Sequence, residues 1–432
     1  MTLKIARSST HRAALAAVQG DPRTQALLRM AEQLLQAPPT YAWWVPGRVE
    51  VLGKHTDYAG GQVLNCATDV GLVIVACPTN ELIVRVTSNE RSITVPLRPD
   101  THVDAGFGTY VSAVARRLSR HFPGLQYGCH IAIASNLPAA SGMSSSSAFV
   151  IALHHAIAAV NNISERDDYR AGITNQHDLI PYLGGHENGS GFAQFAGDAG
   201  VGTAGGSQDH AAIMASLGGQ LNQWSFAPFH RIDTVSWPTS LHLSVAVSGV
   251  LAEKSAGARA HFNLVSSRAN AALQAWNIAS GRHDTSLGFA FQHAGCDAVL
   301  ATIHDPDLRL RAEQTAIEST VIVPAAAAAL KAGEVKTFGR LTARSQTMAE
   351  THLHNQIPET IALVASAKAH GAIAASAFGA GFGGSVWAAF PKESDYSAVW
   401  LNDYIRQFPQ YANLAQVHHI APGPGITPIV CA

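Results

Sequence analysis

The chain has 432 residues, more than one small core organises, which predicts two domains. Hydrophobic residues make up 47% and charged residues 14%, with a net charge of -1, so the chain reads as compact and globular, with no overall field to attract nucleic acid or an anionic membrane. The five cysteines are odd in number and far apart, which speaks against a disulfide framework and for a reducing, cytoplasmic setting, and the 21 histidines lack metal-ligand spacing.

In chain order, residues 11–37 read as helix, with Leu15, Val18, Leu27, Leu28, Met30, Leu34 and Leu35 on an apolar face, ended by Pro38 and Pro39. Lys4, Arg7 and Arg12 precede any acid, superficially like a transit peptide, but the apolar run Ala13 to Val18 fits a plain N-terminal helix. Strands are predicted at 63–77, 82–87, 92–96 and 128–135, and helices at 107–121 and 145–160. A glycine-dense region spans 184–206, and Pro228 and Pro238 flank a predicted inter-domain crossing near 225–240. Residues 241–249 open the second half as a strand. Helices follow at 253–279, 286–303, 308–319, 324–352 and 359–370, then a glycine turn and a strand within 373–390. No apolar run reaches membrane-spanning length.

The richest stretch is 46–66, PGRVEVLGKHTDYAGGQVLNC. Val49, Val51 and Leu52 predict a buried strand that delivers Arg48, Lys54, His55 and Asp57 to its glycine-rich end. Charged and hydrogen-bonding groups of both signs at such a junction suit a polyhydroxyl ligand such as a sugar, although a surface turn with solvated charges uses the same residue types. The segment resembles the sugar-binding signature of galactokinases, within the wider GHMP family of galactokinase, homoserine kinase, mevalonate kinase and phosphomevalonate kinase. Their pattern is PGRVN followed by IGEHTDYNGG. Pro46, Gly47, Arg48, Val49, Gly53, His55, Thr56, Asp57, Tyr58 and Gly61 match, while Glu50 stands for the usual Asn and Lys54 for the usual Glu.

Three more segments keep the family order. In 137–153 a Gly-Met-Ser-Ser-Ser-Ser turn runs into a helix, whose free N–H groups and dipole favour phosphate; an ordinary serine cap is the alternative. It resembles the family's phosphate loop, which implies ATP contacts at Pro138, Gly142, Met143, Ser144, Ser145 and Ser146, with Ser146 also on Mg²⁺. Residues 200–216 resemble the galactokinase stretch Gly-x-x-Cys-Gly-x-Met-Asp-Gln. Gly202, Gly206 and Asp209 match, while Gly205, Gln208 and His210 replace the Cys, Met and Gln. The resemblance implies that Asp209 is the catalytic carboxylate with Arg48 beside it, and that Gly206 lies on the substrate. Glu187 resembles the family's Mg²⁺-holding acid, but 22 positions separate it from Asp209, about twice the usual spacing. An apparent insertion at 188–200, a lid or a longer loop, accounts for this and brings Asp198 as a rival acid. Residues 379–385, GAGFGGS, resemble the family's C-terminal glycine motif. Read alone they match a dinucleotide fingerprint, but a strand follows where a helix is needed. Gly47 to Lys54 fails as a Walker loop, with five residues between glycines and His55 in place of Ser or Thr.

The resemblance implies an α+β, two-lobed GHMP-kinase-like fold. Residues 1–235 would form a mixed, βαβ-containing domain that binds sugar and ATP, and 236–432 a ferredoxin-like α/β domain that closes the active site. It implies an ATP- and Mg²⁺-dependent enzyme that phosphorylates the anomeric hydroxyl of a monosaccharide, acting as a monomer or weak homodimer. His55, Asp57 and Lys54 would read the sugar. Lysine cannot accept the hydrogen bond that the family's Glu accepts near carbon 6. Two explanations stand: Lys54 pairs with the carboxylate of an acidic sugar such as a uronate, or it pairs with Glu50 and the sugar is galactose-like. Phe262 stands near where the family has a sugar-contacting Tyr. A non-catalytic sugar sensor and a kinase for a non-sugar alcohol remain as alternatives; intact Ser144, Ser145, Ser146 and Asp209 speak against the first, and the run His55 to Tyr58 against the second.

Overall fold

A computed structural model describes residues 9–89, 91–103, 106–139, 141–250, 256–393 and 396–431. Lys4 and Arg7 lie outside them. The first lobe is built on a nine-stranded sheet. Its strands are β1 (Tyr41–Leu52), β2 (Gln62–Thr79), β3 (Ile83–Ser88), β4 (Ser92–Pro96), β5 (Gly128–Ser135), β6 (Gln220–Phe226) and β7 (Phe229–Ser236), joined by two strands from the chain's end. β1 and β2 are rich in Val, Ile, Leu and Trp and buried along most of their length, because helices cover both faces. One cover is the helix Pro22–Leu35. It starts at an Asp21 cap with Pro22 in its first turn and buries Leu27, Leu28, Ala31 and Leu35. The other includes the helices Phe107–His121 and Ser145–Val160. β3 and β5 pair in parallel, with Phe107–His121 in the crossover between them, the expected βαβ unit.

Gly71 lets β1 and β2 approach at Val45 and Pro46, since a Cβ there would lie 2.5 Å from the Val45 carbonyl oxygen. The register shifts just beyond, between Pro46 and Arg48, and again between Glu50 and Leu52. These irregularities bend the end of β1 where the polar residues begin.

The second lobe has β8 (Leu241–Val247), β9 (Ala374–Phe378), β10 (Ser385–Pro391) and β11 (Gln416–Ile420) in the order β11-β8-β10-β9, all neighbours antiparallel. The many helices between β8 and β9, and the helix Ser397–Gln407 between β10 and β11, complete the ferredoxin-like βαββαβ pattern.

Two expectations change. The inter-domain crossing predicted near 225–240 narrows to residues 237–240, between β7 and β8, because the earlier part of that segment belongs to the hairpin β6–β7 of the first sheet. Residues 236–432 do not stay in one lobe. β12 (Pro422–Gly423) and β13 (Thr427–Ile429) return to pair with β2 and β1, tying the chain's last segment into the first sheet. Among the described residues no helix is long and apolar enough to cross a membrane.

Candidate active site

A cavity of about 260 Å³ opens where the end of β1, the start of the helix Ser145–Val160, the helix Gln208–Ala215 and the glycine turn 379–384 meet. Strand alternation places Arg48 and Glu50 on the cavity wall, while Val49 and Val51 enter the core. Arg48 is buried and fully engaged. Its Nε donates to Asp209 Oδ1 at 2.6 Å, Nη2 to Asp209 Oδ2 at 3.0 Å and Nη1 to the Gly142 carbonyl at 2.6 Å. Ser144 also donates to Asp209 Oδ2. Burial pushes the Asp209 carboxyl up, but the Arg48 charge and these bonds outweigh it and hold Asp209 below the usual carboxylate range, ionised at neutral pH.

Ser144 holds a left-handed backbone (φ 58°) and makes no side-chain cap to the helix it precedes, which leaves its hydroxyl to Asp209. The first turn of Ser145–Val160 thus keeps unclaimed N–H groups at the cavity, with Ser145, Ser146 and Ser147 on the wall. Facing it is the turn 379–384, where Gly379, Gly381, Gly383 and Gly384 all have positive φ. A Cβ on Gly379 would lie 3.4 Å from the Gly142 carbonyl, and one on Gly381 2.3 Å from the Asn355 carbonyl. These side-chain-free backbones form a cradle that fits a nucleotide's phosphates. Ser146 and Glu187 share the same wall and offer hard oxygen donors. Among the described residues no group of three or more His, Cys, Asp or Glu is placed to hold a metal ion by itself. A hydroxyl and one carboxylate beside a phosphate cradle suit Mg²⁺, which keeps waters and shares phosphate oxygens. His210 Nε2 lies 3.3 Å from Glu187 Oε1. Asp198 is no rival: it is ion-paired to Arg116 at 2.9 Å and Arg117 at 3.6 Å, off the cavity wall.

On the other side, Asp57 Oδ2 accepts from the Gln208 N–H at 3.1 Å, and burial raises its carboxyl to about 6. A Cβ on Gly206 would come within 2.1 Å of that oxygen, so glycine is required there. His55 Nε2 faces the Ala380 carbonyl at 3.2 Å, so it carries the proton and Nδ1 accepts from Tyr58 Oη at 3.0 Å. Burial, and then the charge of Arg311, lower the His55 pKa to about 3, which keeps it neutral. Phe262 packs against it at 5.5 Å between ring centroids.

The structure brings Arg48, His55, Asp57, Gly206, Asp209, Glu187 and Gly142 to Ser146 onto one cavity. It does not bring Pro138, which stays half-buried in the preceding loop, and Met143 contributes backbone while its side chain enters the core. Lys54 is the main correction. Its Nζ turns away from the cavity and donates to Ser376 Oγ at 2.6 Å and Ser345 Oγ at 3.2 Å, fully buried in the second lobe. The Ser345 hydroxyl donates to Glu318 Oε1 at 2.8 Å, and Gly53 N–H donates to the same oxygen at 2.8 Å. Nor does Lys54 hydrogen-bond Glu50. The Glu50 Oε2 accepts instead from Gln208 Nε2 at 2.7 Å. Glu50 and Gln208 are wall residues that motif matching passed over, although Glu50 lies two strand positions from Arg48 and so shares its face.

The family model for the galactokinase galactose-binding signature matches residues 32–78, that for the GHMP kinases N terminal domain 109–178, and that for the GHMP kinases C terminal 326–401. The galactokinase of Pasteurella multocida (strain Pm70) is 25% identical over 386 residues, 85% of this chain and 90% of that protein. The galactokinase of Chloroflexus aurantiacus is 34% identical over 143 residues, 31% of this chain and 35% of that protein. Among solved structures, Lactococcus lactis galactokinase complexed with galactose superposes with a TM-score of 0.76 at 20% identity, covering 93% of this chain and 99% of its own. Methanococcus jannaschii mevalonate kinase superposes with a TM-score of 0.54 at 15% identity, covering 88% and 98%. Together these findings support a galactokinase-like GHMP kinase, a two-lobed phosphotransferase that uses ATP with Mg²⁺. Within that family it is a sugar 1-kinase.

Proposed function

We propose that this enzyme transfers the γ-phosphoryl group of ATP to the anomeric hydroxyl of a neutral, galactose-like monosaccharide. The observation that carries the reading is the Arg48–Asp209–Ser144 cluster, set between the sugar-facing His55 and Asp57 and the helix start at Ser145. Asp209 is ionised but a weak base, because Arg48 and Ser144 occupy its oxygens. It therefore orients the attacking hydroxyl and takes its proton late, as suits a loose phosphoryl-transfer transition state. Arg48 keeps its charge at the reacting centre, held by Asp209 and the Gly142 carbonyl. Bound Mg²⁺–ATP supplies the phosphoryl group; Ser146 and Glu187 would hold the metal, and the turns 142–145 and 379–384 would hold the phosphates.

A uronate loses its support because Lys54 does not reach the cavity, and Arg48 on the cavity wall is already paired with Asp209. The free cysteines fit a reducing cytoplasm. The test is ADP formation with Mg²⁺ on galactose, glucose, arabinose, N-acetylgalactosamine, galacturonate and glucuronate. Turnover of a neutral sugar to its 1-phosphate is expected, reduced roughly 10²- to 10⁴-fold in Asp209→Asn. Turnover confined to a uronate would overturn the neutral-sugar reading. No Asp209-dependent turnover on any sugar would move the assignment to a non-sugar alcohol or a sensor.

A further inference from the structure

The ring of His55 lines the sugar side of the cavity, yet both of its nitrogens are used within the chain. Nε2 lies 3.2 Å from the Ala380 carbonyl, and Nδ1 lies 3.0 Å from Tyr58 Oη. The direction of each bond follows from its partners. A carbonyl only accepts, so Nε2 carries the proton and Nδ1 accepts. Arg311 Nη2 donates to Tyr58 Oη at 3.3 Å, which leaves the tyrosine proton for His55 Nδ1. Arg311 is itself fixed by the Val265 carbonyl at 3.2 Å, Gln314 Oε1 at 2.7 Å, Thr315 and the His55 carbonyl at 2.5 Å. One directional chain of hydrogen bonds therefore runs from the helix Pro306–Ile317 in the second lobe, through the sugar loop, to the glycine turn 379–384.

The turn needs such a tie, because a stretch rich in glycine loses more backbone freedom on ordering than any other. Its far end is held by Phe382 N–H on the Asn355 carbonyl at 2.7 Å and by Gly384 N–H on the Val250 carbonyl at 3.1 Å. Its near end, where Gly379 faces Gly142, is held by His55. Building on the reading of 142–145 and 379–384 as the phosphate cradle, we propose that His55 is a positioning residue that locks the glycine turn to the sugar loop, its proton placed by Tyr58 and Arg311, and so sets nucleotide affinity more than sugar affinity. The lock keeps the Ala380 carbonyl on His55, where it cannot swing toward the negative phosphates. A trans peptide points its C=O and N–H in opposite directions, so the Gly381 N–H turns away from the sugar loop. The chain requires a neutral imidazole, since a protonated one has no acceptor for Tyr58. Burial, and then the Arg311 charge, keep it neutral by lowering its pKa to about 3.

The experiment is separate calorimetric titration of Mg²⁺ with the non-hydrolysable ATP analogue AMPPNP, and of the neutral sugar that the wild type phosphorylates, into wild type, Tyr58→Phe, His55→Phe and His55→Gln. Melting temperatures identify any variant that fails to fold. Tyr58→Phe keeps the ring but removes the hydroxyl that fixes Nδ1. His55→Phe removes both bonds of the imidazole, and His55→Gln restores a donor for the Ala380 carbonyl. In Tyr58→Phe and His55→Phe the Kd of the analogue is expected to rise about 10-fold while that of the sugar stays within about twofold, and His55→Gln is expected to recover most of the loss. If His55→Phe does not fold, Tyr58→Phe is read in its place. Nucleotide affinity that is unchanged in these variants overturns the lock and leaves the sugar kinase standing. A loss of sugar affinity as large as the loss of nucleotide affinity also overturns it, because His55 then reads the sugar. Failure of the wild type to bind the analogue overturns the kinase reading, and the lock with it.

Discussion

At the scale of single residues, the carboxylates of the cavity have opposite ionisation tendencies. Asp209 is held low by Arg48 and Ser144 against its burial, while burial carries Asp57 to about 6 and Glu50 to about 7. If Asp57 must be ionised to accept a sugar hydroxyl, its protonation weakens sugar binding without disabling Asp209. The expected result is a KM for sugar that rises as pH falls from 7 to 5, with kcat changing much less, measured with saturating Mg²⁺–ATP. A KM that stays flat across that range would show that Asp57 does not bind sugar as a carboxylate. For stability the sign is the reverse. Glu50 and Asp57 bind protons more tightly folded than unfolded, so their contribution is full below about pH 4 and is lost as pH rises through about 6 to 7. The sequence made Arg48, His55, Asp57 and Asp209 legible, since each sits in a motif. It hid the roles of Glu50 and Lys54, because a change of residue type says nothing about which way a side chain points. The αL backbone of His55 and the fully buried polar network around Lys54 decide that, and both depend on tertiary contacts hundreds of residues away.

At the scale of elements, long periodic segments were the easiest to read. The helices Phe107–His121 and Ser145–Val160 fall where the pattern puts them, because both bury an apolar face against the sheet. The hairpin β6–β7 and the returning strands β12 and β13 were missed: β7 is half-exposed, β12 and β13 are only two and three residues long, and the pairing of β6 and β12 with β2 and of β13 with β1 is set by chain topology. The sequence leaves the insertion at 188–200 open between a lid and a longer loop; Arg117 donates to the Gly185 and Ser190 carbonyls at 2.7 and 2.5 Å and Phe195 is buried in the main core. It is a pinned loop that lengthens the path from Glu187 to Asp209 while both stay on one cavity. This geometry makes the metal assignment testable. Ser146→Ala and Glu187→Gln should each raise the Mg²⁺ concentration for half-maximal rate roughly 10-fold or more. Asp198→Asn should leave that concentration unchanged and lower the melting temperature instead, because it strips the buried Arg116 and Arg117 of their counter-charge.

At the scale of the whole molecule, the loop that carries Lys54, His55 and Asp57 is clamped between the lobes. Its front faces the cavity through His55 and Asp57, and its back is held by the second lobe. Arg311 donates to the His55 carbonyl at 2.5 Å, Gln314 to the Lys54 carbonyl at 3.0 Å, and Glu318 accepts from Gly53. Lys54 completes the clamp by placing its ammonium between Ser345 and Ser376, which in turn donate hydrogen bonds to Glu318 and Gln346. Burial lowers the Lys54 pKa, and the charges of Glu318, Glu50 and Glu350 oppose that. A lysine in this position works as an inter-lobe tie, so its loss should register as stability and not as sugar preference. Lys54→Met leaves Glu318 buried with Gly53 and Ser345 but without its cation, at an expected cost of about 3–5 kcal/mol. Adding Glu318→Gln removes the stranded charge and should recover much of that cost, a coupling that a double-mutant cycle in urea reads directly. The folded fraction of each variant should keep the wild-type ranking of sugars. A Lys54→Met enzyme of unchanged stability that newly accepts or rejects one sugar would show instead that Lys54 reaches the substrate.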